Sequence, residues 1–117
     1  MPITPTPKIW MNGSLVNWAD ANVHILTHTL HYGMGVFEGI RAYETADGPA
    51  VFRLTEHIER LHNSAKILGM PMPYSVDELI AATKETVAST GLDSCYIRPI
   101  AYFGYGEMGL NTLPCKV

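Results

Sequence analysis

Between Leu54 and Gly91 the chain repeats apolar residues at helical spacing twice in succession, and nothing outside that block does so. Any fold must therefore set two neighbouring helices against shorter extended segments. The first stripe is Leu54, Ile58, Leu61, Ala65 and Leu68, with Thr55 as the expected N-cap and Gly69, then Pro71, as the stop. The second opens on Ser75-Val-Asp-Glu78, a capping box in which each side chain satisfies an orphan backbone donor. Val76, Leu79, Ile80, Thr83 and Val87 make its buried face, and Gly91 ends it.

The flanking segments read as strands. Asn12-Gly13 lies between two short apolar runs from Lys8 to Trp18, where a type I′ turn needs positive φ at both central residues. Asp20 to Leu30 has no clear period and is irregular or briefly helical. Gly35 to Glu44 reads as one strand, Thr45 to Pro49 as a turn and Ala50 to Arg53 as the returning strand, a second hairpin. Gly39 within the first of these marks a bulge or a place where another group approaches the backbone closely. Ser94 to Phe103 alternates as one longer strand, with Tyr96, Arg98, Ile100 and Tyr102 on one face, and Gly104 to Leu113 is loop-like. The class is α+β, antiparallel hairpins and a longer strand packed with two helices, in a single domain spanning residues 1–117.

Composition excludes several functions. With 117 residues, 47% hydrophobic and 16% charged, the chain suits one ordinary hydrophobic core. A formal net charge of −3, with Lys and Arg scattered singly, offers no footprint for nucleic acid. No apolar run reaches the length of a membrane span and no signal-peptide core opens the chain, so a cytoplasmic protein without a membrane partner is expected. Cys95 and Cys115 are too few for a disulfide framework or a zinc site and read as reduced thiols.

Tyr96 and Arg98, two apart on a strand, leave the same face, and a guanidinium fork beside a phenol suits a carboxylate; a cross-strand surface pair is the plainer alternative. Arg60 falls on the polar flank of the first helix beside His57 and Ser64, within reach of a phosphate or simply paired with Glu56. Asp20, His24 and His28 would align as a metal face only on a continuous helix, which their segment does not promise, and no metal is expected. His31 and Tyr32, just before Gly33, fit ordinary turn packing. No phosphate loop, dinucleotide fingerprint or nucleophile elbow is present.

Taken together, His31-Tyr-Gly33, Val36-Phe-Glu-Gly-Ile-Arg41, Val51-Phe-Arg53, Glu56-His57, Arg60-Leu-His62, Ser64-Ala-Lys66 and Tyr96-Ile-Arg-Pro99 resemble the bacterial branched-chain aminotransferases of fold type IV. The resemblance covers nearly the whole chain. It implies pyridoxal 5'-phosphate as cofactor, with Arg60 on its phosphate. It places Tyr32 and Phe37 on the wall for an aliphatic side chain, with Gly39 leaving room for substrate. Tyr96 would take the α-carboxylate, and Arg98, with Tyr32, the second carboxylate of glutamate or 2-oxoglutarate. The loop of Met108, Gly109 and Leu110 resembles one that reaches a neighbouring protomer's site, so Leu110 joins the substrate-binding set and a homodimer or higher homo-oligomer is implied. The substrates would be leucine, isoleucine or valine and their 2-oxo acids. Lys8, Lys66, Lys84 and Lys116 match no catalytic lysine, so no catalytic residue is assigned within the chain. The resemblance is thus to an N-terminal small domain whose C-terminal, lysine-bearing domain is absent, and this portion alone is expected to be inactive. D-amino-acid transaminases, aminodeoxychorismate lyases and a non-catalytic binding module stand as alternatives.

Overall fold

The computed structural model describes residues 2–117. An opening hairpin pairs β1 (Lys8–Met11) with β2 (Ser14–Asn17). Its turn carries Asn12 at φ 52 and Gly13 at φ 102, the left-handed pair that the Asn-Gly dipeptide favours. A short 3-10 turn, Trp18–Asp20, follows, and then α1 (His28–Tyr32), which Gly33 closes in the left-handed conformation. The segment expected to be irregular or briefly helical is therefore both.

The strand expected from Gly35 to Glu44 is two strands, β3 (Gly35–Phe37) and β4 (Ile40–Thr45), interrupted at Glu38-Gly39. The longer strand expected from Ser94 to Phe103 is likewise two, β6 (Cys95–Ile97) and β7 (Ile100–Tyr102), interrupted at Arg98-Pro99. The two interruptions face each other. β3 pairs antiparallel with β7, Phe37 opposite Ile100, and β4 with β6, Arg41 opposite Tyr96. Across the gap the Glu38 N–H donates to the Pro99 carbonyl at 3.0 Å. Proline has no N–H to extend the ladder, so this bond is what carries the pairing through the bend. The second hairpin pairs β4 with β5 (Gly48–Val51), and Gly48 and Pro49, expected in the turn, are strand residues.

α2 (Leu54–Ile67) begins differently from the sequence expectation. Arg53, at φ 50, stands at its N-cap, and the His57 N–H already bonds the Arg53 carbonyl, which places Thr55 inside the first turn. α3 (Val76–Thr90) starts as expected, Ser75 Oγ accepting the Glu78 N–H at 3.1 Å, and Gly91 ends it with φ 68. Leu54, Ile58 and Leu61 of α2 meet Leu79 of α3 and Ile40 of β4 in one core, with Trp10 and Tyr74 at its edge in a T-shaped contact. Ala65, Met70, Ala101, Phe103 and Cys115 form a second, and Val36 and Met72 pack against both. No helix among the described residues is long and apolar enough to cross a membrane.

Candidate functional site

The facing interruptions build the site. Phe37 ends β3, Gly39 lies in the gap, Tyr96 is central in β6 and Arg98 precedes the proline that breaks the strand. Arg98 Nη2 donates to the Tyr96 hydroxyl oxygen at 2.9 Å, and the guanidinium lies over the Phe37 ring, 4.3 Å from its centroid. Stacking on the aromatic face holds the arginine's plane while leaving edge donors for an incoming anion. Because the phenol oxygen accepts from Arg98, its own proton remains to be donated outward. A Cβ on Gly39 would stand 2.5 Å from that same hydroxyl, so the glycine is required by the place Tyr96 occupies. Arg41, not singled out from the sequence, lies opposite Tyr96 with its guanidinium 5.7 Å from the ring centre. Two cations thus flank one phenol on an open face, an arrangement suited to carboxylate ligands.

Arg60 does not pair with Glu56, which instead lies 3.9 Å from Arg53. Its Nε donates to Glu38 Oε2 and its Nη2 to Glu38 Oε1, both at 2.8 Å, and His57 Nδ1 donates to the same Oε1 at 2.7 Å. The Glu38 side chain is only 4% exposed, whereas that of Arg60 is 66% exposed. Arg60 holds the Glu38 carboxyl below the ordinary glutamate range, against the opposing effect of burial and with further help from His57. In return Glu38 raises the already high pKa of Arg60. A phosphate group fits here: the Nη1 edge is turned away from the Glu38 contact, and the guanidinium is fixed yet accessible. Glu38 is the residue that sequence reasoning misses. Its signal is a lone carboxylate within an otherwise apolar Val36-Phe-Glu-Gly-Ile40 segment.

Tyr32 and Leu110 meet through a second set of contacts. Tyr32 packs on His28, ring centroids 4.6 Å apart, and His28 Nε2 donates to the Gly109 carbonyl at 2.7 Å. Leu110 beside it is 87% exposed. Among the described residues no hydrogen bond or ring contact joins either of them to Phe37, Tyr96 or Arg98. The Asp20, His24 and His28 alignment does not form: Asp20 ends the 3-10 turn, His24 accepts the Leu26 N–H outside any helix, and only His28 is α-helical.

The profile of the family described as Amino-transferase class IV matches residues 35–116. The branched-chain-amino-acid aminotransferase of Pseudomonas aeruginosa is 54% identical over 109 residues, covering 93% of this chain and 36% of that protein. That of Escherichia coli K12 is 50% identical, covering 88% and 33%. Among solved structures, the branched-chain aminotransferase of the thermophilic archaeon Thermoproteus uzoniensis with norvaline superposes with a TM-score of 0.89 at 44% identity, over 95% of this chain and 38% of that one. The chain spans about a third of the length of the curated relatives it matches. Strand break, facing proline and arginine-bearing helix all lie within the matched residues, and the chain belongs to the class IV aminotransferase family.

Proposed function

We propose that this chain is the N-terminal, substrate-gripping part of a branched-chain amino acid transaminase that moves the amino group of leucine, isoleucine or valine to 2-oxoglutarate. The observation that carries the reading is the Phe37–Gly39–Tyr96–Arg98 cluster, where a carboxylate grip and an aromatic wall share one open face. Tyr96 donates its hydroxyl proton to the α-carboxylate. Arg98, lying on Phe37, receives the second carboxylate of a dicarboxylic substrate and contributes its flat apolar face when the side chain is aliphatic. Arg60 holds the phosphate of pyridoxal 5'-phosphate through its outward edge. When bound, that cofactor supplies the carbonyl that takes up an amino group and the electron sink that acidifies the substrate Cα–H. The lysine such chemistry needs belongs to a further domain of the longer protein.

Tyr32 and Leu110 share a neighbourhood through His28 and Gly109. In a cytoplasmic homodimer or higher oligomer they would complete the wall of a partner's site. The test uses the full-length protein supplied with cofactor: L-leucine with 2-oxoglutarate should turn over, and D-alanine and aminodeoxychorismate should not. Turnover of either of the latter in preference to L-leucine would replace this reading with a D-amino-acid transaminase or a lyase of the same fold type.

A further inference from the structure

We propose that Glu38 is a positioning residue for Arg60, clamping the guanidinium so that one edge faces the cofactor phosphate and tying that arginine to the strand break that carries Phe37 and Gly39. The proposal rests on the reading of Arg60 as the phosphate ligand. Three donors converge on the Glu38 carboxylate, two from Arg60 and one from His57, all between 2.7 and 2.8 Å. A carboxylate this buried is tolerated only when its lone pairs are satisfied, and these are. Arg60 is mostly exposed, so little packing restrains it; the two-point contact removes the rotamer freedom that such a long side chain otherwise keeps.

The same residue is part of the site's backbone. The Glu38 N–H bonds the Pro99 carbonyl between Arg98 and Ile100, and its chain neighbours are Phe37, under the Arg98 guanidinium, and Gly39, under the Tyr96 hydroxyl. One residue therefore fixes the carboxylate grip through its main chain and the phosphate arginine through its side chain. His57 holds Oε1 from the same helix face and prevents the carboxylate from rotating out of the fork. Charge alone argues in the opposite direction: an anion against Arg60 weakens its pull on a phosphate. A role in orientation and a role in neutralisation thus give opposite signs when Glu38 is replaced.

The test is a double-mutant cycle on the apo form of the full-length protein, with wild type, Glu38→Gln, Arg60→Met and the double variant each titrated with pyridoxal phosphate and, separately, with inorganic phosphate. Glu38→Gln should weaken both ligands by about tenfold when Arg60 is present and have no further effect in the Arg60→Met background. Equal losses in both backgrounds would make Glu38 a merely structural residue and overturn the proposal. Unchanged or tighter binding by Glu38→Gln, with weak binding by Arg60→Met, would overturn the clamp while leaving Arg60 on the phosphate. Undiminished binding by Arg60→Met would remove both readings together. Should Glu38→Gln fail to fold, Glu38→Asp keeps the charge but falls one methylene short of the fork; wild-type affinity in that variant would also overturn the clamp.

Discussion

Arg98 lies flat on Phe37 and bonds Tyr96, so a single guanidinium serves an aromatic wall and a polar grip at once. On the function proposed above, only substrates with a second carboxylate would call on its charge. Replacing Arg98 with Met in the full-length enzyme should therefore slow the half-reaction with glutamate or 2-oxoglutarate by one to two orders of magnitude, about 1.5–3 kcal/mol for a charge-assisted contact, while leucine is nearly spared. Equal losses for both substrates in single-turnover measurements would give Arg98 the α-carboxylate instead. Gly39 tests the same grip from below. A Cβ there meets the end of the Tyr96 side chain, not backbone, and Gly39 has no left-handed φ to strain. Gly39→Ala should thus leave the melting temperature within a few degrees, roughly 1 kcal/mol of stability, yet raise KM for amino acids by displacing the hydroxyl from Arg98. A variant that loses several kcal/mol with KM intact would place Gly39 in folding and not in the site.

Among the elements, the paired breaks in β3–β4 and β6–β7 decide where the site sits, and α2 is pinned to one of them by Glu38. That ion pair has a pH signature. The folded-state Glu38 pKa is depressed, so its contribution to stability is complete above the ordinary glutamate range and is lost as pH falls through the lowered value. Thermal unfolding of wild type should drop on acidification below the ordinary glutamate range, and Glu38→Gln should flatten that slope; parallel curves would show that other carboxylates carry it. The helices and the Asn12-Gly13 turn are legible in the sequence because their signals are local: a repeat of 3.6, a capping serine, two residues suited to positive φ. The breaks are half legible. Gly39 signals a place of close approach, but the approaching group, Tyr96, lies 57 positions away, and no local pattern announces it. Pro99 fits one face of a continuous strand because alternation persists across it, although its missing N–H ends the ladder. Glu38 is hidden because its partners sit 19 and 22 residues away, on a helix whose polar face has the composition of a solvated one.

At the scale of the whole molecule, the apolar surface is larger than isolated exposed residues would give. Ile25, Leu30 and Tyr32 around α1 are exposed, as are Tyr105, Met108, Leu110 and Leu113 in the loop that His28 ties to that helix. Phe37, Tyr96 and Ile100 are exposed along the paired breaks. Exposed apolar residues concentrated on two such neighbourhoods fit surfaces meant to be covered. The lysines are engaged or at the surface: Lys8 Nζ donates to Asn17 at 2.6 Å, Lys66 and Lys84 are exposed on α2 and α3, and Lys116 is exposed beyond β7. Transamination through pyridoxal phosphate requires an amine held against the reacting carbon, and a surface lysine meets free cofactor only at random. The isolated 117-residue chain should therefore self-associate with rising concentration in sedimentation velocity. Incubated with pyridoxal phosphate and reduced with borohydride, it should show scattered, sub-stoichiometric labelling of its lysines by mass spectrometry and no turnover of leucine with 2-oxoglutarate. One lysine labelled to completion, together with cofactor-dependent turnover, would place the whole reaction within these 117 residues and reverse the division of labour proposed for the full-length protein.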